Sequence, residues 1–180
     1  MPIVDVAGQM NLSAREIAAL TYLSPAVGAA FALRLLSGWF SVFALASFAG
    51  TFAHEFLHLV VGAITGAKPV SMDLFPRRGP TGRMVMGSVT FTNLRWFNAL
   101  PSCIAPLLSL PLMGLVAWIR VQHGWGLSET TGTDLIVWAL LAPQFESCWP
   151  SSTDWRLTLI SWPLYLAAGA ALWFFWIAHP

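Results

Sequence analysis

The sequence predicts a mainly α, multi-pass membrane helical bundle of about five segments, with a small β-hairpin on its cytoplasmic side. Three observations lead there. Hydrophobic residues make up 57% of the 180-residue chain and charged ones 9%, and the mean hydropathy is +0.67, a balance that the surface of a water-soluble domain does not tolerate. Apolar runs approaching or reaching membrane-spanning length recur along the chain. The interval between two of them, residues 68–97, holds two stretches, 69–75 and 87–92, that alternate apolar and polar residues as a strand does. Ten tryptophans agree with this reading, since the amphipathic indole sits well at a membrane interface.

The first sixteen residues are polar and lack the basic start and apolar core of a cleavable signal peptide, so the first apolar segment is expected to stay in the mature protein. Ser13 with Glu16 three residues on reads as a capping box for that segment, 17–36, which contains Pro25 and closes on Arg34. Ser37-Gly38 ends it. Trp39 opens a second segment, 39–67, long enough to span with tilt. Residues 69–75 and 87–92 then alternate in polarity around the turn-rich PRRGPTGR and predict a hairpin within 68–97. That interval holds Lys68, Arg77, Arg78, Arg83 and Arg95 against one acid, Asp73, which puts it on the cytoplasmic side by the positive-inside rule.

A third segment, 98–119, contains Pro101, Pro106 and Pro111. Prolines free backbone carbonyls, and neighbouring helices or polar side chains must then satisfy them, so a kinked, protein-packed helix is expected. Residues 120–133 read as an external loop. A short fourth segment, 134–147, ends in the polar Gln144-Phe145-Glu146-Ser147, and a fifth, 156–178, is interrupted near Pro163. The net charge of +1, with no basic run or aromatic–basic interleaving, leaves no footprint for nucleic acid. Cys103 and Cys148 form no CxxC pair and read as buried thiols.

The densest chemistry lies in the second segment, where His54-Glu55-Phe56-Leu57-His58 forms H-E-x-x-H. Spacing i, i+4 puts both imidazoles on one helical face, where they can share a metal, and Glu55 stands beside the first to hold or deprotonate a water. Ionisable groups inside a membrane helix are costly and usually functional, and three in five residues call for a shared reason. The plain alternative is two histidines hydrogen-bonded to neighbouring helices, with Glu55 neutral. A catalytic zinc usually takes three protein ligands. With 68–97 inside, counting segments returns 148–156 to the cytoplasmic face, so Asp154, at the start of the last helix, is the first candidate for the third ligand. Glu146 is its rival, while His123 falls on the wrong side and His179 is terminal.

HEFLH in a membrane helix, a strand-like hairpin, a Pro-rich segment from Asn98 to Pro111, and Pro150-x-x-x-Asp154 opening a later helix follow one another in that order. This set resembles the site-2 protease family of intramembrane zinc metalloproteases over roughly residues 45–165. The resemblance implies Zn2+ as cofactor, His54, His58 and Asp154 as its ligands, and Glu55 as catalytic base. It also implies cleavage of a peptide bond in or near a membrane-spanning segment of a substrate protein. Family members commonly carry Asp-Gly at the third ligand, whereas Trp155 follows Asp154 here. Two other classes stay open: a membrane metalloprotein without proteolytic activity, and a transporter relaying protons or ions through the buried His and Glu, although the chain has no matching halves.

Overall fold

The computed structural model describes residues 12–78, 84–126 and 130–178. The side chain of Ser13 in the expected capping box, the hairpin's turn with Arg83, and His179 lie outside the described residues. The chain is mainly helical: α1 (Leu12–Leu35), α2 (Phe40–Ala46), α3 (Phe48–Ile64), α4 (Ala99–Cys103), α5 (Ser109–Gln122), α6 (Gly132–Ser147), α7 (Ser152–Thr158) and α8 (Trp162–Ala178). Strands β1 (Pro69–Asp73), β2 (Arg77–Arg78), β3 (Met84–Val85) and β4 (Ser88–Phe91) lie between α3 and α4. Among the described residues three helical stretches are long and apolar enough to cross a membrane: Ala14–Gly38, Ala105–Gln122 and Ser152–Ala178. The bent pair α2–α3 makes a fourth if it counts as one span. Helix α6 has 16 residues. At 1.5 Å per residue that is about 24 Å, short of a hydrocarbon core of ~30 Å.

The contacts divide the chain into two compact units, one made of Met1–His54 with Leu107–Cys148 and the other of Glu55–Pro106 with Trp149–Pro180. In the first, α1 packs against α5 and α6. Ala19, Tyr22, Leu23 and Ala26 repeat at three- and four-residue intervals on α1 and meet Met113, Ala117 and Val121 of α5 and Leu141 of α6. Ala26 and Ala117 are fully buried, and residues this small let helices approach closely. Tyr22 donates to Asp134 at 2.8 Å, Arg120 pairs with the same carboxylate, and Thr131 caps α6 through a box with Asp134. Pro25 removes the N–H that would close on the Thr21 carbonyl, and the Ser24 hydroxyl donates to that carbonyl instead, at 2.8 Å.

The second predicted segment is not one helix. α2 and α3 meet at Ser47 with a bend of 61°. A serine sits at the joint, and α6 presses on the helix just past it: Gln144 Nε2 donates to the Ala49 carbonyl at 3.1 Å, and Gly50 admits the Pro143 carbonyl. The predicted 98–119 helix is likewise broken, into α4, a 3-10 turn over Ala105–Leu108, and α5. Each of Pro101, Pro106 and Pro111 stands in the first turn of its own short element, where a missing N–H costs little.

In the second unit α3 ends in a Schellman cap: Gly66, at φ 76°, lets Ala67 N–H reach the Gly62 carbonyl at 2.8 Å and its own N–H the Ala63 carbonyl at 3.2 Å. The chain turns straight into β1, which pairs antiparallel with β4 (Met72 opposite Val89, Asp73 opposite Ser88), while β2 and β3 form a second two-stranded ladder farther out. The Asp73–Arg77 ion pair braces the outer part. Asn98, fully buried, accepts from Arg95 N–H at 2.6 Å and donates to the Asn93 carbonyl at 3.0 Å, fixing the entry to α4. Leu100 N–H donates to Ser161 Oγ at 2.9 Å, tying α4 to the 3-10 turn between α7 and α8.

Candidate metal centre

Helix α3 carries His54, Glu55 and His58 in its middle turns. Glu55, His58 and Gly62 form one stripe, at intervals of three and four residues, and the returning hairpin lies on it. A Cβ at Gly62 would come within 2.4 Å of the Phe91 ring, and one at Gly87 within 2.9 Å of Glu55 Oε1. Glycine at both places is therefore what lets the hairpin close on the motif. Glu55 is 6% exposed and His58 3%.

Each imidazole uses its Nδ1 on a backbone carbonyl: His54 on Ser147 at 2.6 Å, His58 on Ser102 at 2.7 Å. A carbonyl only accepts, so each Nδ1 carries the proton, and in the neutral ring Nε2 is then the nitrogen that can ligate. This is the tautomer in which metal-ligating histidines are held by an outer partner. The hydrogen-bonded histidines of the plain alternative are thus present as well, and those bonds use one nitrogen of each ring.

Asp154 occupies the third position of α7 and serves two ends. Its Oδ2 accepts from Ser151 N–H at 2.6 Å, and its N–H is taken by Ser151 Oγ at 3.2 Å, a reciprocal capping box. Its Oδ1 lies 3.4 Å from His58 Nε2. Two ligands of one tetrahedral zinc stand about 3.3–3.4 Å apart, given metal–ligand distances near 2.0–2.1 Å. His54 is one helical turn before His58 on the same unbroken helix, and ligand atoms of His54, His58 and Asp154 all lie within 4.8 Å of one another. Two imidazoles and a carboxylate suit zinc and other borderline divalent ions, so the donor set fits a metal.

Glu146, the rival third ligand, pairs with Arg34 at 3.4 Å. His123 stacks on Trp125 and its Nδ1 meets the Ile119 carbonyl at 2.8 Å. Cys148 is half-buried, and that burial pushes its thiol up, so little thiolate is present near neutral pH. Sequence reasoning missed the Ser102 and Ser147 carbonyls and Gly87. Backbone acceptors carry no residue signature, but Pro106 and Pro150, four and three residues beyond those serines, were a usable signal. Among known proteins no family model matches the chain, and no curated protein or solved structure matches it either.

Proposed function

We propose that this chain is an intramembrane zinc metalloprotease of the site-2 protease kind, a multi-pass protein that hydrolyses a peptide bond in or near a membrane-spanning segment of another protein. The observation that carries the reading is the convergence of the two H-E-x-x-H histidines and Asp154, with ligand atoms within 4.8 Å of one another and both Nδ1 atoms already engaged. Supporting it are the candidate spans and the large apolar side chains exposed along them, such as Phe31, Leu115 and Phe174, which a bilayer would solvate. His54, His58 and Asp154 would hold the ion. When bound, it would polarise the scissile carbonyl and acidify a water molecule.

The rest falls to the chain's own groups. Glu55, buried beneath Gly87, takes the proton from the attacking water and delivers it to the leaving amine. The hairpin covers the motif from the side that the basic residues assign to the cytoplasm, so water and substrate enter there. A peptide bond within a helix is shielded by its own hydrogen bonds, so the substrate must unwind locally before cleavage.

Purified protein in detergent is expected to hold about one zinc per chain, and E55Q to keep that zinc while losing hydrolysis of reporter substrates with a transmembrane helix. H54A is expected to lose both. Hydrolysis surviving in E55Q would remove Glu55 as base. Zinc bound with no hydrolysis in any reporter would favour the non-proteolytic metalloprotein, and no zinc even after supplementation would favour the proton or ion relay.

A further inference from the structure

We infer that Pro106 is a positioning residue for His58, because it keeps the Ser102 carbonyl out of the helix ladder and leaves it for the imidazole. The inference rests on the metal-binding reading of His58. In an α-helix the carbonyl of residue i is closed by the N–H of residue i+4, and for Ser102 that residue is 106. Proline has no N–H to give, and its ring crowds the carbonyl four residues earlier. Helix α4 accordingly ends at Cys103, and the Ser102 carbonyl meets His58 Nδ1 at 2.7 Å.

The surroundings leave this carbonyl little freedom. Ser102 is fully buried and His58 is 3% exposed, so the acceptor needs a partner inside the protein. The Ser102 hydroxyl lies 2.9 Å from Thr65 Oγ1 at the end of α3, and Leu100, two residues earlier, is tied to Ser161. Both ties hold the peptide beside the histidine. The chain uses the same device elsewhere: Pro25 leaves the Thr21 carbonyl to the Ser24 hydroxyl. Ser147, the acceptor for His54, has Pro150 three residues on, and the N–H four residues on, that of Ser151, is engaged by Asp154 Oδ2. Neither histidine acceptor faces a free helical donor. A fixed Nδ1–H tautomer then presents Nε2 toward the position that Asp154 Oδ1 also faces.

The test measures zinc affinity by chelator competition, and the visible spectrum of the cobalt-loaded protein, in the full-length chain and in P106A, P111A, H58A and P106A/H58A. Restoring an N–H at 106 is expected to weaken zinc binding roughly tenfold or more and to alter the cobalt bands. P111A, a proline of the same segment with no histidine on its freed carbonyl, is expected to change neither. In the H58A background P106A is expected to add nothing. Wild-type affinity in P106A would overturn the inference while leaving the metal site standing, and so would an equal loss with and without His58, the mark of a merely structural proline. A wild-type chain that binds no metal would overturn both. Helical circular dichroism is read on every variant, and P106S, which restores the same N–H, replaces P106A if that signal falls.

Discussion

Asp154 makes two contacts with one carboxylate, and their consequences can be separated by the choice of substitution. Its Oδ2 closes the capping box with Ser151, and its Oδ1 faces His58 at 3.4 Å. Asparagine keeps an oxygen for the Ser151 N–H but lacks the negative charge that a divalent ion wants. D154N is therefore expected to keep α7 and lose at least about tenfold in zinc affinity, whereas D154A should lose the metal and about 1 kcal/mol of stability from the cap. Metal titration and thermal unfolding in detergent, run on both variants, check the pair. E146Q is the matched control, since Glu146 is engaged with Arg34, and its zinc affinity should equal the wild type's. If E146Q lost zinc and D154N did not, Asp154 would be a helix cap and nothing more. A residue-level reading of the sequence could single out His54, His58 and Asp154, whose ligand atoms the fold brings together, because side-chain identity and spacing are legible in it. It could not reach the Ser102 and Ser147 carbonyls, which any residue at those positions would supply.

At the scale of elements, what decides packing is where a side chain is missing. Gly50 of α3 meets the Pro143 carbonyl so closely that a Cβ there would stand 2.1 Å from the oxygen, a backbone atom that cannot rotate away. G50A is expected to destabilise the protein by about 1–3 kcal/mol or more. Gly28 in α1 has nothing within 4 Å of its Cβ position, so G28A should be neutral or slightly stabilising through helix propensity. Unfolding midpoints measured side by side would test the contrast, and equal shifts in both variants would refute the close contact at Gly50. Apolar run length and the strand-like alternation made the helices and the β1–β4 pairing legible in the sequence. The break within 39–67 was not. The bend at Ser47 depends on a glutamine and a carbonyl from a helix almost a hundred residues away, a tertiary effect that periodicity cannot carry. The capping boxes Thr131–Asp134 and Ser151–Asp154, by contrast, stand in the sequence as T-x-x-D and S-x-x-D and were open to reading.

For the molecule as a whole, orientation in the bilayer is the property on which the proposed access route depends. The proposed orientation follows from the five cations of residues 68–97 against one acid, which would put the hairpin in the cytoplasm and, by counting segments, residues 120–133 on the other face. Because the hairpin lies directly on Glu55 and His58, the proposed function makes its side of the membrane the side from which water and substrate would arrive. Single cysteines can report this. Arg78 and Trp125 are exposed, whereas the native Cys103 is fully buried and the Cys148 thiol is pushed up by its burial, so the native pair should compete little for a maleimide. In intact cells a membrane-impermeant maleimide is expected to label W125C and spare R78C, and in inverted vesicles the pattern should reverse. Labelling of R78C from outside would turn the hairpin outward and, with it, the opening of the centre. Both positions labelled from one side would mean an even number of crossings between them. The Ala105–Gln122 helix would then lie in the membrane without traversing it, and Asp154 would owe its place beside His58 to α4 and the Ser161 tie rather than to a return through the bilayer.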